Sequence, residues 1–153
     1  MKIGIISDTH YGNQKKIIIP EWIKSAFSNV DMIVHAGDLE ATNVLHAFSE
    51  IAPFYAVRGN CDRYGFDTPD TISVEISVGL LTVAHRAEHA RAALRPRSKI
   101  MVYGHTHIPL INQENGLLVM NPGSPSLPRG GLPASVGLII IESGKIRAEL
   151  RHK

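Results

Sequence analysis

Eight side chains able to bind a divalent cation stand at five places along the chain, and each place lies just past a short apolar run. Asp8 and His10 follow KIGIIS, and Asp38 follows MIVHA after Gly37. Asn60 and Asp62 follow FYAVR after Gly59, His85 closes LLTVA, and His105 and His107 follow IMVY after Gly104. Carboxylate oxygens mixed with imidazole nitrogens, and no thiolate cluster, suit manganese, nickel, zinc, iron or cobalt better than calcium, which prefers an all-oxygen shell. Asp8, His10, Asp38, Asn60, His85, His105 and His107 exceed the needs of one ion and match two ions sharing a carboxylate. Such a pair, about 3.5 to 4 Å apart, can stabilise both the attacking and the leaving oxygen of a displacement. Asp38 is the expected bridge, because a carboxylate has two oxygens to divide between ions whereas an imidazole offers one lone pair.

The elements needed to position these groups can be read from the apolar pattern. Lys2 to Ser7, Met32 to Ala36 and Phe54 to Arg58 are short, rich in β-branched residues and bounded by turn residues, so each predicts a buried strand. Helical patterns lie between them: Pro20 suits a first helical turn ahead of EWIKSAF, and Ala41 to Ile51 carries Val44, Leu45 and Phe48 on one face. Further strands are expected over Thr71 to Ile76, Leu80 to Ala84, Ile100 to Tyr103 and Leu117 to Met120. Val136 to Glu142 and Lys145 to Leu150 read as a hairpin about Ser143-Gly144. A third helix is expected over Glu88 to Leu94, stopping before Arg95-Pro96 because the residue preceding proline is pushed out of helical geometry. The Pro/Gly-rich stretch Pro122 to Pro133 reads as a loop rather than a domain boundary, so one domain over residues 1–153 is expected. In open α/β sheets, sites form in the crevice beyond the carboxyl ends of the strands, which is where these ligands would converge.

Composition narrows the function further. Hydrophobic residues make up 44% of the chain and charged residues 20%, which places it among globular proteins. Sixteen Lys and Arg against fourteen Asp and Glu leave a formal charge of +2, too small for the basic footprint of a dedicated nucleic-acid binder. The aromatic content of 6% also argues against base stacking. A single cysteine, Cys61, excludes an internal disulfide. The strand-like start MKIGIIS and the shortness of the apolar runs argue for a cytoplasmic protein with no membrane span.

Taken singly, Asp8-Thr9-His10 or Gly37-Asp38 would be an ordinary turn or helix cap. In order, Asp8-Thr9-His10, Gly37-Asp38, Gly59-Asn60-Cys61-Asp62, His85 and Gly104-His105-Thr106-His107 resemble the calcineurin-like metallophosphoesterase family, over residues 1 to about 125. With Asn121-Pro122-Gly123-Ser124 and the short chain, the likeness is greatest to the small bacterial and archaeal phosphodiesterase branch. The resemblance implies an α/β fold of two facing mixed β-sheets flanked by helices, a four-layer α/β/β/α sandwich. It implies one ion held by Asp8, His10 and His107 and another by Asn60, His85 and His105, with Asp38 shared and manganese the first expectation. It also implies a small phosphate diester as substrate, attacked in line by a water ionised between the ions. Asp38, Asn60 and Asp62 are then the residues closest to catalysis.

Two departures from the family pattern bear on the substrate. Larger members carry a His directly after the Asn of the third motif, where this chain has Cys61; a thiol is a poor electrostatic aid to a leaving oxygen, so good leaving groups such as aryl esters are favoured. The family normally has His-Gly where this chain has His85-Arg86, and the guanidinium of Arg86 is a candidate contact for the substrate phosphate. Gly123 and Ser124 are candidates for lining the site. Asp62 is expected to orient a ligand imidazole by hydrogen bonding, and Cys61 to be a packed thiol at the rim. His35, inside an apolar strand, reads as a satisfied core histidine. Ile17 to Ile19 and Leu127 to Leu132 would cover a subunit contact in a homo-oligomer, although scattered exposed apolar residues are ordinary. The competing functions are a non-catalytic scaffold, as in the retromer subunit of this superfamily, a phosphomonoesterase, or a nuclease.

Overall fold

Alternation along the first strand sets the layers. In the computed structural model, which describes residues 1–12, 14–62 and 67–153, β1 (Lys2–Ile6) turns Ile3 and Ile5 to one side and Ile6 to the other, all fully buried. A strand buried on both faces must be covered twice, and this one is. Parallel to β1 runs β2 (Met32–His35), and β3 (Phe54–Ala56) runs parallel to β2. The connections carry α1 (Glu21–Ala26) and α2 (Asn43–Ser49), as expected of β-α-β units.

The second sheet begins with the antiparallel pair β4 (Thr71–Ile76) and β5 (Gly79–Ala84), then passes through α3 (Ala87–Ala92) to β6 (Ser98–Val102). It continues with β7 (Leu110–Glu114) and β8 (Leu117–Asn121). The chain then returns to the first sheet as the hairpin β9 (Ser135–Glu142) and β10 (Lys145–His152). Strand orders are β10-β9-β1-β2-β3 and β4-β5-β6-β8-β7, five strands each, and both sheets are mixed.

One apolar core joins the sheets: Ile3, Ile5 and Val34 of the first meet Leu81, Val83, Ile100 and Met120 of the second. A second core, with Ile23, Phe27, Val44 and Phe48, packs α1 and α2 on the outside of the first sheet, and a third sets Ala90 of α3 against Met101 and Val119. The expected four-layer sandwich is therefore present. Gly4 permits a close approach of α1, since a Cβ there would meet the Phe27 ring at 2.9 Å.

β7 is the strand that the sequence reading lacks. Its apolar residues Leu110 and Ile111 are adjacent rather than alternating, three polar residues follow, and both are exposed along a sheet edge. The signal present was Asn115-Gly116, with φ of 50° and 80°, the tight hairpin turn that pairs β7 with β8. Ser143-Gly144 repeats that geometry between β9 and β10. The loop Pro122 to Pro133 holds no helix or strand. Ile17 and Ile19 are buried in the outer core while Ile18, Leu127 and Leu132 are exposed, and no helix among the described residues is long and apolar enough to cross a membrane.

Candidate metal centre

The six strands with a parallel neighbour, β1, β2, β3, β5, β6 and β8, end on the same side of the sandwich. Asp8 and His10 follow β1, Asp38 follows β2, Asn60 follows β3, His85 follows β5, and His105 and His107 follow β6. Donor atoms of Asp8, His10 and His107 lie within 4.8 Å of one another, and so do those of Asp8, Asp38 and His85. Asp8 belongs to both groups, so the two are contiguous. Asn60 joins the second group through Oδ1, 3.1 Å from His85 Nε2. His105 is in neither group; its ring packs edge-on against His85, with centroids 5.1 Å apart, and its amide donates to both Asp8 oxygens at 3.2 and 3.0 Å.

Three imidazoles are held in one tautomer by acceptors outside the cluster. His85 Nδ1 donates to the Ala36 carbonyl at 2.8 Å, His107 Nδ1 donates to the Leu127 carbonyl at 2.6 Å, and His10 Nδ1 donates to the Glu40 carboxylate. In each case the remaining nitrogen, Nε2, faces inward, open to a cation or a proton, the arrangement that outer partners impose on metal-binding histidines. His10 Nε2 and His107 Nε2 stand 3.3 Å apart, and Asp8 Oδ1 is 3.3 Å from the latter. Asp38 Oδ2 lies 3.3 Å from His85 Nε2 and 3.8 Å from His10 Nε2. Lone pairs that face one another at such distances repel unless a cation or a proton lies between them, and about 3.3 Å is the separation of two donors bound at roughly 2.1 Å to one ion. The donor set therefore fits divalent metal.

Electrostatics agree with that reading. Burial opposes the charge on Asp38, yet hydrogen bonding from His85 and from the Cys61 amide outweighs it and holds the carboxyl well below the usual range. Burial also disfavours a charged His85, but its contact with Asp38 prevails and raises its pKa. Asp8 is raised by burial, against the opposing pull of Ser7, His85 and His107. A cation bound there would take the place of a proton shared by His85 and Asp38.

Other residues hold this cluster from behind. Asp62 accepts backbone N–H groups from Asp38, Leu39, Glu40 and Gly59 at 2.7 to 3.0 Å, so its partners are amides rather than the imidazole expected of it. Ser124 is fully buried and donates to the Asp8 carbonyl at 2.7 Å. Gly123, with φ of 77°, faces Ser135 and Pro109. Ser124 thus supports the Asp8 loop and Gly123 packs against Ser135 and Pro109, in place of the substrate contact expected of them. Arg86 has φ of −102°, an extended conformation open to any residue, so the missing glycine costs the loop nothing there. Its side chain is partly exposed beside His85 and Asn60. Cys61 is exposed at the rim rather than packed, and accepts from Asn60 Nδ2 at 3.3 Å.

Two contributors escaped the sequence reading. Ser126 donates to the Thr9 carbonyl at 2.6 Å, and Glu40 holds His10 and forms a third group with His10 and Cys61. Glu40 stands two residues after Asp38 just as His10 follows Asp8 and His107 follows His105. That repeated spacing was the available signal.

The comparisons with known proteins point the same way. A probable metallophosphoesterase of Methanothermobacter thermautotrophicus is 36% identical over 98% of this chain and 91% of its own length. A solved structure described as a novel archaeal phosphodiesterase superposes with a TM-score of 0.76 at 27% identity, covering 99% of this chain and 100% of the other. Vps29 of Entamoeba histolytica, solved with zinc, shares the fold at a TM-score of 0.74 and 18% identity, over 99% of each chain. Residues 1–144 match the family model described as the calcineurin-like phosphoesterase superfamily domain, and with the strand-end ligands in place this chain belongs to that superfamily.

Proposed function

We propose that this chain hydrolyses small phosphate diesters with two divalent ions, manganese in the first instance, one held by Asp8, His10 and His107 and the other by Asn60, His85 and His105, with Asp38 between them. The observation that supports this most is the set of inward lone pairs from His10, His85 and His107, each fixed by an outer acceptor and grouped about Asp8 and Asp38. Metal ions bound there would supply charge for the phosphoryl oxygens and an ionised water at neutral pH. Asp38, kept ionised by His85 and the Cys61 amide, offers one carboxylate to both sides of the cluster. Asn60, exposed at the rim, is placed to orient the ester beside His85. His105, its backbone fastened to Asp8 and its ring against His85, would complete the second set. Every one of the seven positions carries a side chain able to bind metal, which favours the enzyme over a scaffold.

The test is to strip metal with chelator, restore manganese, nickel, zinc or magnesium separately, and assay bis-aryl against mono-aryl phosphate. The expected outcome is activity that depends on added transition metal and prefers the diester. Asp38→Asn or His105→Ala should lower turnover by about 100- to 1,000-fold with the circular dichroism spectrum unchanged. Hydrolysis that persists in excess chelator would sink the proposal.

A further inference from the structure

A cleft of about 440 Å³ opens beside the cluster, with Asn60 and His85 at its inner end. Residues from three elements complete it: Arg58 after β3, Asp70 and Thr71 at the start of β4, and Arg86 and His89 at the start of α3. Its charges do not cancel. Arg58 donates through Nε and Nη2 to Asp70 Oδ1 at 3.0 and 2.6 Å, so those two neutralise each other. Asp70 is the only carboxylate among the described lining residues, and it is spent on that pair. Among the described residues the guanidinium of Arg86 has only a contact of 3.9 Å with the exposed Glu88, a separation and exposure at which an ion pair contributes little. The ring of His89 also lines the cleft.

We infer that this cleft receives a substituent of the substrate diester and that the substituent is itself anionic, a carboxylate or a second phosphate held by Arg86. The inference rests on the hydrolytic reading of the adjoining cluster and narrows its substrate class. Arg86 suits the task because its planar guanidinium meets either anion with two parallel N–H donors, whereas an aliphatic or cationic group would leave the charge unanswered.

Calorimetric titration of the manganese-loaded chain tests this without requiring turnover. Propylphosphonate, 3-phosphonopropionate, 1,3-propanediphosphonate and 2-aminoethylphosphonate share one metal-seeking end and differ in the other. The carboxylate and diphosphonate ligands should bind about tenfold more tightly than propylphosphonate, as one charge-assisted contact would give, and the larger of the two ratios identifies the anion. The amino ligand should bind more weakly than propylphosphonate. Arg86→Ala should bring these ratios close to one, and Arg86→Lys should restore part of them. Equal affinities in the unaltered chain, or ratios untouched by Arg86→Ala, would overturn the assignment. Brisk diester hydrolysis with equal affinities removes only the cleft's role, whereas retained anion preference with no hydrolysis removes only the reaction.

Discussion

His35 touches both loops that carry the first ligands. The Gly37 amide donates to its Nδ1 at 3.1 Å, which leaves the proton on Nε2, and this donates to Thr9 Oγ1 at 3.1 Å. The ring is fully buried with Phe48 and Phe54 edge-on to it. Burial and the neighbouring His85 depress its pKa to about 3, with Asp38 opposing them. An imidazole that ordinarily titrates near 6.5 but stays neutral in the fold takes up its proton only on unfolding across that interval. Its contribution to stability is whole above pH 6.5 and is lost as pH falls towards 3, at up to about 1.4 kcal/mol for each pH unit. Urea unfolding in chelator at pH 7, 5.5 and 4.5 should therefore show a steeper acid loss in the unaltered chain than in His35→Gln. Equal slopes would contradict the neutral clamp. That His35 is a satisfied core residue was legible, because it sits in MIVHA among apolar neighbours. Which loops it ties together was not, since Thr9 lies 26 residues away.

At the scale of elements, the loops after β1, β2 and β6 share an uncommon backbone. Asp8 and His10 have φ of 53° and 46°, Asp38 and Glu40 of 58° and 66°, and His105 and His107 of 68° and 60°. Side chains there cost about 1 to 2 kcal/mol each, so the surroundings must hold them. They do: the Asp8 amide donates to Gly37 and the His10 amide to Asp38, while Asp62 gathers the amides of Asp38, Leu39 and Glu40. The loops after β2 and β3 interlock so closely that a Cβ on Gly59 would strike the Asp38 amide and carboxylate. Gly59→Ala should displace that carboxylate, weakening manganese binding in a calorimetric titration and lowering turnover by about 100-fold. Unaltered metal affinity would show that the interlock is not needed. The strand ends were legible because a polar residue interrupts each apolar run, with glycine before it at Gly37, Gly59 and Gly104. Four amides converging on Asp62 were not, because backbone donors leave no mark in residue type.

For the whole molecule, the cluster spans both sheets. Asp8, His10, Asp38 and Asn60 come from the first and His85, His105 and His107 from the second, so ions bound among them would tie together the two halves of the sandwich. Manganese at about 100 times its Kd should add about 2.7 kcal/mol per site, raising Tm by roughly 5 to 10 °C for each site filled, and chelator should reverse it. The sandwich itself was legible from alternating helices and strands followed by a strand-rich half, whereas edge strand β7 was hidden by its polar, non-alternating residues. The most direct measurement is anomalous diffraction from crystals soaked in manganese. Two peaks are predicted, one among Asp8, His10 and His107 and one among Asn60, His85 and His105, with Asp38 touching both. A single peak, or manganese bound only elsewhere on the surface, would contradict the account.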